Sequence, residues 1–277
     1  VAGARTMADE VVAISFGGAY ECGADKVLNI TVPEGLTVDS AVETVNAAFD
    51  AENPEVVLVE ACRHMKVIAG SLAFHADTAV ITDVTAFEAE GAKSMYFGGI
   101  AERVQKAAGN VAIYTVGAGV FDGAEGANGS VAEQEWVAPA RPVKVVSSQV
   151  IEKSGVNLFK ADVVVAAGRG FAEESQLSMA NDLCDKLGAG LACSRPLTEG
   201  VNWLPTERYV GVSGLMLTPK AYIAVGISGQ MQHMVGCNRS GAIFAINKDK
   251  NAPIFKQCDF GLVGDIKDVL PAITAAL

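Results

Sequence analysis

Apolar runs of strand length alternate with helix-spaced ones along nearly the whole chain, and no other feature constrains its fold as tightly. In the first half, "DEVVAISFG", "KVLNI", "EVVLVEA", "TAVITDVT" and "VAIYTVGAG" read as strands. Between them, "TVDSAVETVNAAFDA" and "RHMKVIAGSLAFHAD" read as helices. In the first of these, Val42, Val45 and Ala48 recur at helical spacing after an Asp39-Ser40 entry. Such alternation predicts mostly parallel sheets with helices packed on them. The opening stretch "VAGARTMADEVVAISFGG" reads as the tail of a helix running into a strand. An α/β domain ordinarily opens on a strand, so a further strand is expected ahead of Val1.

The rhythm breaks at "GANGSVAEQEWVAPARPVKVV", where Gly, Asn, Pro and a polar run predict a connector over residues 127–142. Two domains follow from this: an N-terminal α/β domain with its connector over residues 1–142, and a C-terminal domain over 143–277. The second half resumes with strand "ADVVVAAG", helix "AEESQLSMANDLCDKLGA" and strands "GLACSR", "RYVGVSG" and "AYIAVGIS". A short helix "QMQHMVG", strands "AIFAIN" and "FGLVGD" and a closing helix "IKDVLPAITAAL" complete it. Leu177, Ala180, Leu183, Cys184 and Leu187 form one apolar stripe, which assigns their helix to a face of the sheet. The fold class is therefore α/β, with two doubly wound domains.

At 277 residues, 50% hydrophobic and 19% charged, the chain has material for two substantial cores. Its 32 acidic against 21 basic residues give a net charge of −11, which repels phosphate backbones and anionic headgroups. Nucleic acid is therefore not an expected partner. The apolar runs are too short to span a bilayer, so membrane insertion is not expected either. Six scattered cysteines, without a CxxC pair or metal spacing, read as free thiols in a reducing compartment. With no signal peptide visible, the expected location is the cytoplasm or, in a eukaryote, an organellar matrix.

Four strand ends of the second half finish in small or polar residues: "GRG" (168–170), "CSR" (193–195), "VGVSG" (210–214) and "GISG" (226–229). In a doubly wound sheet these ends share the edge where ligands bind. One glycine turn there would mean little, since turns commonly contain glycine. Four turns that together carry Arg169, Ser194, Arg195, Ser213 and Ser228 predict a site. At "GISGQMQH" a helix start is expected to offer free N–H groups to an anion, with Ser228 as N-cap. His233, in the expected first exposed turn, is then placed as a donor. Asn247 and Lys248 end the next strand and suit a pyrophosphate or sugar, while Asp265 suits a ribose or simply caps the last helix. No Walker sequence, GxSxG or pair of carboxylates supplies a nucleophile or acid–base couple, so any chemistry falls to a cofactor.

The motifs "GRG", "SRP", "VGISGQMQH", "AINKDKNAPIF" and "DFGLVGD", in this order, resemble the α subunit of electron-transfer flavoproteins over nearly all of Asp162–Leu277. "RYVGVSG" and "GISGQMQHM" are most similar to the branch linked to carnitine or acyl-CoA reduction and nitrogen fixation. In the first half the resemblance is weaker, in "RHMKVIAGSLAFHADTAVITDV" and "YFGGIAERV". It implies FAD as cofactor, a β subunit as partner, and electron exchange with acyl-CoA dehydrogenase-like or other redox proteins. By position, it places Arg169 beside the isoalloxazine, with Ser194 and Arg195 reaching the flavin. Val210, Gly211, Val212 and Ser213 would run along the ring. Ser228, Gly229, Gln230, Met231, Gln232 and His233 would cover the phosphate and O2 side, and Asn247 and Asp265 would hold the adenosine half. The family's usual "VGQTG" is "VGVSG" here, which replaces an amide by Val212 and keeps a hydroxyl at Ser213. FAD binding is expected to survive this change with an altered potential.

Residues and resemblance agree on an electron carrier rather than a substrate-converting enzyme. One-electron reduction of a flavin places negative charge near N1 and O2, where preoriented donors stabilise it without reorganisation. Two other readings stay open on the sequence: an NAD(P)-binding domain of a hydride-transfer enzyme, and a non-redox adenine-nucleotide sensor.

Overall fold

A computed structural model describes residues 1–149 and 156–277. The chain divides into two compact units, Val1–Tyr96 with Glu102–Val150, and Phe97–Ala101 with Ile151–Leu277. Among the described residues no helix is long and apolar enough to cross a membrane.

The first unit opens with a one-turn helix, α1 (Ala2–Arg5), and holds two sheets. Strands β1 (Val12–Phe16), β2 (Lys26–Ile30) and β8 (Ser130–Glu133) pair in parallel, in that order. Strand β8 corrects the reading of 127–142 as a plain connector, because "SVAE" extends the first sheet from within it. The second sheet has the order β3 (Val56–Glu60), β7 (Ala112–Val116), β4 (Val80–Glu88), β5 (Gly91–Tyr96) and β6 (Ala101–Gln105). Its first three strands are parallel, while β4 and β5 form an antiparallel pair. Periodicity did not reveal β5, β6 or β8, because charges and glycines dilute their apolar contrast. Helices α2 (Val42–Glu52) and α3 (Arg63–His75) bury Val45, Ile68, Ala69 and Leu72 in a core with Ile30 and Ile113.

The second unit is one parallel sheet in the order β10 (Gly190–Cys193), β9 (Val163–Ala167), β11 (Ala221–Val225), β12 (Ala242–Asn247), β13 (Phe260–Val263). Numbered within the unit this is 2-1-3-4-5, a doubly wound order whose switch point lies between β9 and β11. Alternate strand residues face two cores. Val165, Ala167, Val225 and Ile246 meet α4 (Leu177–Leu187) and α6 (Ile266–Ala276). The stripe expected on α4 is the face it buries, with Leu177, Ala180, Leu183 and Cys184 inside. On the other face Val164, Ala166, Tyr222, Ala224 and Ala245 meet Leu217, Met234 and Ile254, which arrive on turns and on α5 (Met231–Met234). All six cysteines carry free thiols, and Cys184, Cys193 and Cys237 are buried.

One expected strand is absent. "RYVGVSG" makes only isolated bridges, Cys193 with Tyr209 and Val210 with Leu215, and the chain then reverses. The Gly214 N–H donates to the Gly211 carbonyl at 2.9 Å and the Leu215 N–H to that of Tyr209 at 2.7 Å. The two glycines supply the turn that the β-branched valines by themselves argue against.

Candidate flavin site at the sheet edge

The C-terminal ends of the five parallel strands deliver the motifs to one edge. At the switch point the turns after β9 and β11 touch backbone to backbone. The Gly170 N–H donates to the Gly226 carbonyl at 2.9 Å, and Gly168 N–H to that of Val225 at 2.9 Å. Gly226 adopts φ +64°, and a Cβ there would stand 2.7 Å from Gly170 Cα. A Cβ on Gly170 would meet Gly226 Cα at 2.5 Å. Two of the four glycine turns therefore exist for close approach, which brings Arg169 to the crevice. Arg169 is exposed, with no polar partner given by any contact among the described residues.

Beside it, after β10, the Ser194 N–H donates to the Ala167 carbonyl at 2.9 Å. Arg195 enters a single π-helical turn, Pro196–Gly200, and its Nε donates to Glu199 Oε2 at 2.6 Å. Both side chains are about half exposed, so water screens the pair and Arg195 can leave it for a stronger anion.

The 210–214 turn is stapled to α5. The Val212 N–H donates to the Gln232 carbonyl at 2.8 Å, and the buried Gly211 donates to Leu215 O at 3.1 Å. Val210 is buried, whereas Val212 and Ser213 are exposed. Ser213 Oγ lies 3.2 Å from the Tyr209 hydroxyl. This turn presents an apolar side chain and a hydroxyl together.

The turn after β11 departs from the sequence reading in three ways. Ser228 is not the N-cap, since Gln230 holds that position and no side chain caps the helix. Instead the Ser228 carbonyl accepts from Ile254 N–H at 3.0 Å, and Gly229, at φ +83°, lies directly on the Ile254 backbone. Second, α5 is a single turn, so few peptide dipoles align and the expected anion site has little field behind it. Third, His233 is not exposed. It is 7% exposed and its Nε2 lies 3.0 Å from the hydroxyl of the fully buried Tyr222. The helix turns Met231 and Gln232 outward and His233 inward.

His233 Nδ1 is buried without a partner of hydrogen-bonding geometry among the described residues. Burial lowers the imidazole pKa to about 4, against a smaller upward pull from the Val210 backbone. The ring is neutral at physiological pH and acts as a dipolar donor, not a cation. Tyr222 by itself reads in the sequence as one more apolar strand residue. An aromatic hydroxyl eleven residues ahead of a histidine, on the preceding strand, is the only available hint.

Asn247 and Asp265 reach the same edge with their groups partly engaged. Asn247 Nδ2 donates to the Ile227 carbonyl at 2.9 Å, and its Oδ1 accepts from Asp249 N–H at 3.0 Å. Asp265 is the N-cap of α6, with Oδ1 accepting from Lys267 N–H at 3.0 Å. Lys248 is exposed beside them. The arrangement suits an extended ligand with an anionic middle and a ring carrying acceptors: exposed guanidinium groups, exposed hydroxyls and one dry unsatisfied imidazole nitrogen lie along a single edge. FAD has that chemistry.

Comparison with known proteins fits this geometry. The electron transfer flavoprotein domain model matches residues 1–141, and the electron transfer flavoprotein FAD-binding domain model matches residues 157–238. Asn247 and Asp265 lie beyond the second match. The chain is 39% identical to Protein FixB of Escherichia coli O157:H7, with 99% of this chain and 92% of that protein covered. The figures for Protein FixB of Shigella flexneri are the same. Against Protein FixB of Escherichia coli O127:H6 the identity is 44%, over 94% of this chain and 86% of that protein. Matched by the domain model over half its length and by such relatives over almost all of it, the chain belongs to the electron-transfer flavoprotein family, as an FAD-binding α-type subunit whose partner is a β subunit.

Proposed function

We propose that this chain holds FAD along the edge of its second sheet and passes single electrons from a dehydrogenase-type flavoprotein to an acceptor. The observation that carries the reading is the switch point, where the β9 and β11 turns meet on the edge that all five strand ends share with their polar groups. Arg169, Ser194, Arg195 and the turn Val210, Gly211, Val212, Ser213 would hold the isoalloxazine. Ser228, Gly229, Gln230, Met231, Gln232 and His233 would hold the O2 edge and the phosphates. Asn247 and Asp265 contact the adenosine half through the capacity left to them, one amide N–H and one carboxylate oxygen. When bound, FAD supplies the one-electron chemistry that no side chain here provides. The chain's own part is electrostatic. Arg195, once drawn from Glu199, and the His233 N–H would serve the region that becomes negative on reduction, the histidine with its orientation set in advance by Tyr222.

The test is to purify the chain with its β subunit, release the cofactor by denaturation, and crosslink or titrate the complex with candidate dehydrogenases. Stoichiometric FAD and electron uptake from an acyl-CoA dehydrogenase-type protein are expected. FMN, or direct reduction by a nicotinamide with no protein donor, would overturn the reading.

A further inference from the structure

Tyr222 and His233 form a buried polar pair that flavin contact alone does not explain. The hydroxyl lies 3.0 Å from Nε2, inside the core. Such a pair holds its protons in one of two ways: the hydroxyl donates to a bare Nε2, or a protonated Nε2 donates to the phenol oxygen. In a neutral ring the first arrangement puts the remaining proton on Nδ1, and the second leaves Nδ1 as a lone pair.

The surroundings discriminate between them. The backbone group beside the ring belongs to Val210, whose N–H already donates to the Cys193 carbonyl at 2.9 Å. Val210 can offer the ring only a carbonyl, which disfavours a bare lone pair facing it, while Nδ1 itself has no partner of hydrogen-bonding geometry among the described residues and stays free for a ligand. The Cys237 thiol adjoins the Tyr222 hydroxyl and sits 4.0 Å from the His233 carbonyl. Burial keeps that thiol protonated, its pKa pushed up to about 12. Its sulfur is a weak acceptor, so the phenol proton goes to the imidazole nitrogen instead.

We propose that Tyr222 is a positioning residue that holds His233 as the neutral Nδ1–H tautomer, so that the ring presents one fixed donor, beside the Val210–Ser213 turn, to the electron-rich edge of the flavin. The identity of the acceptor rests on the FAD reading above; the tautomer belongs to this chain alone. A neutral donor of this kind strengthens its hydrogen bond as the acceptor becomes negative, so its effect falls on the potential more than on binding of the oxidised cofactor.

The experiment is nitrogen-15 NMR of histidine-labelled chain in the heterodimer, with FAD and after its removal. The chain has 3 histidines, and His233→Gln assigns the signal. Wild type is expected to show a protonated Nδ1 and a bare Nε2 in both states. Tyr222→Phe should mix the tautomers and lower the equilibrium constant for accepting the first electron about threefold to tenfold, ~30–60 mV for one electron. Cys237→Ala, which keeps the hydroxyl, should retain the wild-type tautomer. A protonated Nε2 in wild type overturns the proposal even if Tyr222→Phe does not fold. So does a Tyr222→Phe complex with unchanged tautomer and potential. A complex that carries no FAD refutes the flavin reading instead, and the tautomer is then read on the flavin-free chain.

Discussion

The two sides of the second sheet's edge are built on different terms. On the β11–β12 side three polar side chains are tied to internal partners. Asn247 bridges to Ile227, Gln257 Nε2 donates to the Gly229 carbonyl at 2.8 Å, and Tyr222 holds His233. On the β9–β10 side Arg169 stands exposed, and Arg195 is held only by a half-exposed Glu199. The first side is a preorganised frame whose geometry is fixed by backbone contact and burial. The second side carries solvated charge that a ligand can recruit. Damage to the frame should therefore appear as lost stability and lost cofactor, and damage to the charged side as a shifted potential in an intact protein.

The sharpest way to break this contrast is Gly226→Ala. Left-handed strain costs about 1–2 kcal/mol, and displacing the Gly170 backbone adds about 1–3 kcal/mol. Thermal unfolding should fall accordingly and FAD should be lost. Gly188→Ala is the control, since Gly188 has φ +60° but open space around it. It should cost only the strain, ~1–2 kcal/mol, and keep the cofactor. Equal losses in the two variants would remove the frame from the account.

Next in size is the pH dependence of the frame. In the folded chain His233 titrates at about 4, and its ordinary value is 6.5. As pH falls, the unfolded chain takes the proton first, so the stabilisation is complete above pH 6.5, is lost between 6.5 and 4, and levels off below. The effect is at most ~3 kcal/mol. Urea unfolding of wild type and His233→Asn at pH 7 and pH 4.5 should show the difference between them shrinking at the lower pH. A constant difference would mean that His233 is not buried neutral.

On the charged side Arg195→Ala should leave the melting temperature unchanged and lower the potential for the first electron by roughly 60 mV, a tenfold change in its equilibrium constant. Potentiometric titration with FAD content measured in parallel decides it. Loss of FAD at an unchanged potential would make Arg195 an anchor and move it to the frame. The smallest effect is expected from Glu199→Gln, which frees Arg195 from its partner. The potential should rise by about 20 mV at low ionic strength, and the rise should fade at high salt because the pair is exposed.

Much of the fold was open to sequence reading because burial imposes periodicity. The α4 stripe and the apolar runs of β9, β11 and β12 each have to match the faces they cover. Strands β5, β6 and β8 were not readable, because half-exposed strands carry charges and glycines that blur a period of two. "RYVGVSG" misled through its valines: strand propensity is local, whereas two glycines reversing the chain against α5 is a tertiary fact.

The site divides along the same line. From residue order alone came the glycine turns, the arginines, the strand-end Asn247 and Asp265, and a histidine just past the last turn, since motif spacing on a doubly wound sheet fixes which edge they share. The sequence could not say that Gly226 and Gly170 touch, that Gln230 and not Ser228 begins α5, or that His233 turns inward to Tyr222. Those depend on strand order and on which face of a single helical turn meets the core. A one-turn helix has too few residues for periodicity to record which side is buried, so only packing decides it.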